Sequence, residues 1–383
     1  MDIRAPAVNL QIADIRCHPL RVQLPVPQRT SQGDWESLDI VVVEVETADG
    51  IVGIGEGLAR RSSAAYALMI DEILAPRVIG CHAMDRRAIW RSMRSALTGR
   101  PGTQMLEAMA AIDIALWDIA GKALNQPVYR LLGGVGRTHL PAYASSINWL
   151  DDETVAREVG SALEAGFRQI KVKLGGTPAQ SIARARYVRG LVPDDVALCA
   201  DANWAFDVHE AIRVGFALWD LGYDFFEEPI APEDRDGYRT LARQLPIRLA
   251  AGESDSVASD VLEFLHDRSL GLIQPDVARS GGITETWRMA ELAAAHNVAY
   301  APHVGWSGAV CAAASLHLAA AAESFRTYEC MVFDNPLRQA LCTPLLGDVR
   351  CLENGMLAVP QTPGLGVEFD RDALREFTRR PER

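Results

Sequence analysis

The fold is decided by four short runs of sequence: RQIKVK at residues 168–173, VALCAD at 196–201, YDFFEE at 223–228 and RLAAGE at 248–253. Each run has the length of a strand, is rich in apolar residues, and ends in charged side chains. The stretches between them, such as VHEAIRVGFALWDLG at 208–222, have the helical period and end at glycine, as helices do. This alternation predicts βαβ units and a parallel sheet.

The alternation continues on both sides of this stretch. Four further strand-like runs are LPAYA at 140–144, LIQPD at 272–276, VAYAP at 298–302 and RTYEC at 326–330. Eight strands that alternate with helices are typical of a (β/α)₈ barrel. We therefore predict an α/β fold in which residues 136–349 form a TIM-type barrel, with the active site at the carboxyl ends of its strands.

The residues before the barrel have a different pattern. Runs at 11–24 and 38–55 read as strands, and Asp49-Gly50 is a hairpin turn signal. The Pro-, Gly-, Ser- and Gln-rich segment 25–37 between them predicts a mobile loop, and residues 62–132 have the helical period. Residues 1–135 are thus predicted to be an α+β domain. The last segment, 350–383, contains a short polar helix and is predicted to return to that first domain.

Composition limits the possible functions. The chain has 383 residues, 49% of them hydrophobic, and a net charge of −12 at pH 7, which disfavours binding to nucleic acid. No run approaches 18 apolar residues and the N-terminus lacks a signal-peptide pattern, so we expect a cytoplasmic protein without a membrane partner. The seven scattered cysteines show no CxxC pairing and are expected to be reduced thiols.

Charged residues end seven consecutive strands of the predicted barrel. In chain order they are Lys171 and Lys173, Asp201, Glu227, Glu253, Asp276, His303 and Glu329. One charged strand end is explained by solvation alone. Seven at the same face of a barrel are the pattern of an active site, because catalytic residues of such barrels come from the carboxyl ends of several strands.

Three of these residues form a candidate metal site. Asp201, Glu227 and Glu253 are each 26 residues apart, one β/α unit, which brings their carboxylates to adjacent positions around the barrel mouth. Anions held together repel one another unless a cation lies among them. An all-oxygen set suits a hard divalent ion, Mg²⁺ before Mn²⁺. The alternative is that one or more of these side chains caps a helix or forms a salt bridge.

The remaining strand ends supply candidate bases. The period-two geometry of a strand turns Lys171 and Lys173 to the same face, where two like charges would lower each other's proton affinity. A solvated lysine pair on an edge strand is the alternative. Asp276 and His303 come from neighbouring strands, so that a carboxylate on Nδ1 would fix the tautomer of the imidazole and leave Nε2 to exchange a proton.

Two bases on either side of a metal suit the removal of a proton from the carbon next to a carboxylate. The product is an enediolate dianion, which is too basic to form in water without help. Mg²⁺ on the substrate carboxylate would stabilise this charge as it develops. The sequence therefore predicts a small-molecule carboxylate as substrate.

This constellation resembles the enolase superfamily, and more narrowly its mandelate racemase-like group (the mandelate racemase/muconate lactonizing enzyme family), over essentially the whole chain. The resemblance implies a modified barrel, a capping domain with specificity loops, and a homo-oligomer, either a dimer or an octamer. It implies that Lys173 and His303 are the two bases, with His303 held by Asp276. Lys171 would lower the pKa of Lys173 and contact the substrate carboxylate, and Glu329, when protonated, would donate a hydrogen bond to it.

The resemblance also implies substrate-binding residues. These are Asn203 beside the metal, Arg29, Trp35 and Arg60 in the loops of the capping domain, and Trp306 after strand seven. Polar residues at 28–34 favour a hydroxylated substrate, so we expect dehydration of an acid sugar to a 2-keto-3-deoxy acid. Racemisation or epimerisation of a 2-hydroxy acid or an amino-acid derivative is the alternative reaction. An inactive barrel that serves as a binding protein is the alternative of another class.

Overall fold

The computed structural model of the protein describes residues 8–134 and 136–378. The described part begins with an antiparallel sheet of three strands in the order β1-β2-β3. Their bounds are β1 Ile12–Thr30, β2 Gly33–Thr47 and β3 Val52–Leu58. The helices that follow are α1 Ser63–Met69, α2 Ala75–Val78, α3 Arg86–Arg94, α4 Thr103–Ala123 and α5 Val128–Leu131, with a π-helical turn at Ile70–Leu74 between α1 and α2.

The tip of the first hairpin corrects one prediction. Residues 25–37 were expected to be a loop, but β1 and β2 pair almost to the turn, with Arg29 opposite Asp34 and Thr30 opposite Gly33. The register shifts between Gln23 and Gln28, a stretch that contains two prolines, and then recovers. The hairpin therefore extends beyond its sheet and brings polar side chains over the barrel.

A parallel barrel follows this domain. Its strands are β4 His139–Ile147, β5 Gln169–Lys173, β6 Ala197–Asp201, β7 Tyr223–Glu227, β8 Arg248–Ala251, β9 Leu272–Ile273, β10 Ala299–Tyr300 and β11 Tyr328–Met331. The helices between them are α6 Asp152–Glu164, α7 Pro178–Leu191, α8 Val208–Asp220, α9 Arg235–Gln244, α10 Ala258–Asp267, α11 Ile283–Ala295 and α12 Ala309–Ala321. Neighbouring strands pair in chain order from β4 to β10, and β11 closes the barrel by pairing with β4. Only a four-residue helix, α13 Pro336–Gln339, directly follows β11, so this is a modified TIM barrel.

The C-terminal segment contacts both the barrel and the first domain. It contains a 3₁₀ turn at Val349–Cys351, the strands β12 Cys342–Thr343, β13 Leu352–Glu353, β14 Met356–Ala358 and β15 Glu368–Phe369, and the helix α14 Arg371–Phe377. Strand β14 pairs with β4 of the barrel. On the other side, Arg371 Nη1 lies 2.7 Å from Glu44 Oε1 on β2, so the segment joins the two parts of the chain.

Within the first domain, strand β3 packs tightly on helix α4. Strand β3 reads VGIGEGL, and a Cβ at Gly53, Gly55 or Gly57 would overlap a carbonyl oxygen of α4. Glycine at alternate positions therefore lets the helix lie directly on the strand. In the barrel, the inward side chains Cys199, Phe225, Ala250, Leu272 and Ala301 form a small separate core below the strand ends.

The state of the cysteines and the presence of membrane-spanning helices can be examined in the described residues. All seven cysteines are free, in agreement with the expected thiols. In the described part of the chain, no helix is long and apolar enough to cross a membrane.

Candidate active site

The predicted strand-end residues meet at one end of the barrel. Lys171, Lys173, Asp201, Glu227, Glu253, Asp276, His303 and Glu329 are all buried. Because parallel strands present their carboxyl ends at the same face, alternation along each strand turns these side chains inward. Ion pairs between residues of strands β5, β6, β7 and β11 show that the charged groups are in direct contact.

Lys171 lies at the centre of the charged cluster. Its Nζ donates to Glu227 Oε1 at 2.6 Å and to Glu329 Oε1 at 2.9 Å, and it lies 3.6 Å from Asp201 Oδ2. Burial alone would lower the pKa of Lys171, but these carboxylates raise it well above its usual value. The expected lowering by a second lysine is therefore outweighed at Lys171, where three carboxyl groups surround one ammonium group.

Lys173 is paired with the first predicted metal ligand. Its Nζ donates to Asp201 Oδ2 at 2.5 Å. Asp201 Oδ1 accepts from the backbone N–H of Asn203, which holds the carboxylate in one orientation. The two lysine side chains lie on the same face of β5, as the sequence predicted, and both contact Asp201.

His303 and Asp276 form the predicted pair. Nδ1 of His303 lies 2.7 Å from Asp276 Oδ2, and since an ionised carboxylate only accepts, Nδ1 is the donor. Nε2 lies 3.3 Å from Glu253 Oε2. Burial opposes a charged ring, but the charges of Glu253 and Glu329 and the hydrogen bond that the ring donates to Asp276 raise the pKa of His303 well above 6.5.

Glu329, which would donate a hydrogen bond to the substrate if protonated, accepts hydrogen bonds from three groups of the protein. Its Oε1 accepts from Lys171 and from Ser145 Oγ at 2.6 Å, and its Oε2 accepts from the backbone N–H of Val304 at 2.7 Å. Burial would raise the pKa of Glu329, but Lys171 and His303 hold it far below the usual range. Glu329 thus accepts three hydrogen bonds and anchors Lys171.

The carboxylate trio fits a hard cation in donor chemistry. Burial and the nearby charge of Asp201 raise the pKa of Glu227 to about 8, which shows that the two carboxylates are close enough to repel each other. Within the described ranges, no group of three or more His, Cys, Asp or Glu side chains is arranged so that it could hold a metal ion. Lys171 and Lys173 pair with Asp201 and Glu227, while Arg279 and His303 pair with Glu253. The carboxylate oxygens of the trio are therefore paired with cationic side chains of the protein. A divalent ion bound in place of these side chains would compensate the same negative charge.

A cavity of about 270 Å³ lies between the hairpin tip and the barrel mouth. Four of the five predicted substrate-binding residues line it: Trp35, Arg60, Asn203 and Trp306. The rings of Trp35 and Trp306 are 5.4 Å apart and join the two parts of the chain across the cavity. Arg29 is the exception, because its Nε pairs with Asp34 Oδ1 at 3.0 Å on the exposed side of the hairpin.

Several residues around the site were not identified from the sequence. Arg279 Nη1 lies 3.5 Å from Glu253 Oε1, Gln274 Nε2 donates to Glu227 Oε2 at 2.7 Å, and Glu228 accepts from the indole of Trp204. Two of these residues could have been identified from the sequence. Glu228 follows Glu227 directly at the end of β7, and Gln274 is a polar residue two positions before Asp276. Arg279 lies three residues after Asp276, and no spacing rule points to it.

Comparisons with known proteins agree with this geometry. Residues 12–133 match the family model of the mandelate racemase/muconate lactonizing enzyme N-terminal domain, and residues 154–373 match the enolase C-terminal domain-like model. The chain belongs to the enolase superfamily. Within it, the chain falls in the mandelate racemase-like group, and like the named relatives of this group it is an enzyme. The alternative of an inactive binding barrel is therefore set aside.

Three relatives of this enolase-superfamily chain indicate the range of activities. D-galactarolactone cycloisomerase of Agrobacterium fabrum is 34% identical over 96% of this chain and 99% of the relative. Arabinonate dehydratase of Saccharolobus solfataricus is 32% identical over 89% of this chain and 91% of the relative. The third is a racemase from Streptomyces coelicolor A3(2), known from a crystal structure with bound magnesium. Its sequence is 28% identical, and the structures align with a TM-score of 0.88 over 96% of this chain and 100% of that chain.

Proposed function

We propose that the enzyme removes the proton α to the carboxylate of an acid sugar and then eliminates the β-hydroxyl, which gives a 2-keto-3-deoxy acid. The observation that carries the proposal is the position of two proton-transfer groups. Lys173 ends β5 and the His303–Asp276 pair lies at the ends of β10 and β9, which are on opposite sides of the closed barrel. The three carboxylates of β6, β7 and β8 come between them.

The first step is proton removal by Lys173. Its amine takes the α-proton of the substrate, and the electron pair of the broken C–H bond forms the enediolate. Asp201 orients the amine through their 2.5 Å contact. Lys171 carries a permanent positive charge near the developing anion, because Glu227 and Glu329 fix it in place.

The second step is protonation of the leaving group by His303. Asp276 holds Nδ1, so Nε2, which lies 3.3 Å from the cavity-lining Glu253, donates a proton to the departing β-hydroxyl, which leaves as water. The resulting enol rearranges to the 2-keto acid. The amine thus ends protonated and the imidazole neutral, so that one proton passes between them through solvent to restore the enzyme.

We propose that Asp201, Glu227 and Glu253 hold Mg²⁺, as their oxygen donors suit a hard cation. When bound, the ion would supply positive charge to the carboxylate of the substrate as the second negative charge develops. The magnesium in the Streptomyces coelicolor racemase structure supports this proposal.

The hydroxylated substrate is supported by the cavity and by the relatives. The lining includes Thr30, Gln32, Ser37 and Asp39 beside the aromatic rings, a set that bonds hydroxyl groups. The arabinonate dehydratase named above acts on an acid sugar. Racemisation or epimerisation is the second candidate, and the specific observation in its favour is the same pair of groups on opposite faces, which permits reprotonation at the α-carbon.

A screen of mono- and diacid sugars with Mg²⁺ tests the proposal, with 2-keto acid formation as the readout and ¹H NMR in D₂O on the same samples. We expect a 2-keto acid from at least one sugar. Deuterium at the α-carbon without loss of water would favour the second candidate. The absence of both products and exchange over the whole panel would contradict both.

A further inference from the structure

The guanidinium of Arg60 differs from the other buried arginines near the site. Arg279 is held between Glu107 Oε1 and Glu253 Oε1, each at 3.5 Å, and Arg338 donates to the carbonyls of Val304 and Ser307. Arg60 donates no hydrogen bond to the described residues. Its closest carboxylate oxygen, Glu253 Oε1, is 4.0 Å from Nη2, which is too long for a hydrogen bond.

Arg60 also lies where its charge is not fully compensated. Glu253 is already contacted by Arg279 and by His303 Nε2, at 3.5 and 3.3 Å, so it is shared among three cations. Burial, followed by repulsion from Arg279, lowers the pKa of Arg60. A half-buried cation beside another cation is unfavourable unless an anion joins it, and Asp39, the other acid of the cavity lining, is already hydrogen-bonded to Ser63.

The donors of Arg60 border the cavity itself. Arg60 is one of the lining residues, together with Trp35, Trp306 and Asn203, and 38% of its side-chain surface is accessible. The Oδ1 of Asn203, another residue of the lining, is buried and has no hydrogen-bond partner among the described residues. At about 270 Å³, the cavity is slightly below the range of roughly 300–1,000 Å³ of ligand pockets, and suits a small ligand.

From these observations we infer that the substrate is a dicarboxylate sugar acid, an aldaric acid, whose second carboxylate binds Arg60. The inference rests on the proposed function, in which the first carboxylate and the α-carbon lie between Lys173 and His303. A planar guanidinium with free donors pairs with a carboxylate through two parallel hydrogen bonds. A hydroxymethyl group, which an aldonic acid has at that end, would leave the cation without an anion. Asn203 Oδ1 accepts from a hydroxyl group between the two ends.

Turnover of matched substrates tests this selectivity. The wild-type enzyme and Arg60→Gln, Arg60→Lys and Arg87→Gln variants are assayed on an aldonic acid and the aldaric acid of the same configuration. Arg87 is exposed on α3, outside the cavity, and has no ion pair in the described residues, so it controls for net charge. We expect wild-type kcat/KM to favour the aldaric acid at least tenfold. Arg60→Gln should remove that preference by lowering only the aldaric value, and Arg60→Lys should restore part of it.

A binding measurement separates this inference from the proposed function. Glutarate and pentanoate have five carbons each and differ in the second carboxylate. Calorimetry with Mg²⁺ should show wild-type protein binding glutarate at least fivefold more tightly than pentanoate, and Arg60→Gln binding them equally.

The two readouts fail in distinguishable ways. Selective binding that depends on Arg60, with no turnover of any acid sugar, would support dicarboxylate recognition and contradict the proposed reaction. Equal binding of glutarate and pentanoate by wild-type protein would overturn the inference. An equal loss of kcat/KM on both sugar acids in Arg60→Gln would also overturn it. In either case, turnover of an acid sugar by the wild-type enzyme would leave the proposed reaction standing.

Discussion

Replacing Glu56 with glutamine should make the protein less sensitive to alkaline pH. Glu56 lies on β3, is fully buried, and reaches across to the start of α12. Its Oε1 accepts from the backbone N–H of Gly308 at 2.5 Å, and its Oε2 accepts from those of Val310 and Cys311 at 3.1 and 3.0 Å. It therefore joins the first domain to the barrel just beyond the loop that carries Trp306.

The magnitude follows from the pKa of this carboxyl group. Burial raises the pKa of Glu56 from 4.5 to about 7, against the opposing effect of the backbone donors. A raised pKa means that the folded state holds the proton more tightly than the unfolded state. The stabilising contribution is therefore complete below pH 4.5 and is lost as the pH rises through about 7. The loss amounts to roughly 3 kcal/mol of unfolding free energy.

Urea denaturation of wild-type and Glu56→Gln protein at pH 5, 6, 7 and 8 measures this effect. Glutamine resembles the protonated acid and does not titrate, so the variant should gain roughly 3 kcal/mol relative to wild type between pH 5 and pH 8. Groups common to both proteins cancel in the difference. Glu291→Gln, an exposed change on α11, is the control and should show no such trend. A difference between Glu56→Gln and wild type that is constant with pH would refute the reasoning.

Three further outcomes are expected. Glu227→Gln should weaken Mg²⁺ binding at least tenfold in calorimetry, because it removes one anion from the trio, and unaltered affinity would count against this ligand set. Asp276→Asn should lower kcat by about 10²–10⁴ with little change in KM, because the imidazole loses its fixed tautomer; a kcat within twofold of wild type would contradict the role. Gly55→Ala should cost about 3 kcal/mol in urea denaturation through overlap with Ala111, whereas Gly190→Ala on α7, where a Cβ meets open space, should be neutral or stabilising.

The barrel was predictable because its signals are local. Each strand is a short apolar run, and period-two alternation alone determines which residues of β5 face inward, so Lys171 and Lys173 were assigned to one face from their spacing. The 26-residue spacing of Asp201, Glu227 and Glu253 then gave their positions around the mouth.

The features that sequence reasoning missed depend on contacts between distant segments. The strand structure of the hairpin tip comes from pairing with a partner strand, which outweighs the turn-forming composition of residues 25–37. The raised pKa of Lys171 follows from Glu227 and Glu329, which are 56 and 158 residues away in the sequence. Likewise, the buried contacts of Glu56 with residues 308–311 span the two parts of the chain and leave no pattern in either.

Loss of the α-proton and loss of water, measured together, test the central claim most directly, that Lys173 removes the α-proton and His303 protonates the departing β-hydroxyl. ¹H NMR in D₂O would follow the acid sugar identified by the screen, and 2-keto acid formation would be measured on the same samples, with wild-type, Lys173→Ala and His303→Asn enzymes. We expect Lys173→Ala to lose both removal of the α-proton and 2-keto acid formation, and His303→Asn to lose 2-keto acid formation while the α-proton still exchanges for deuterium. Formation of the 2-keto acid by either variant at the wild-type rate would contradict the account.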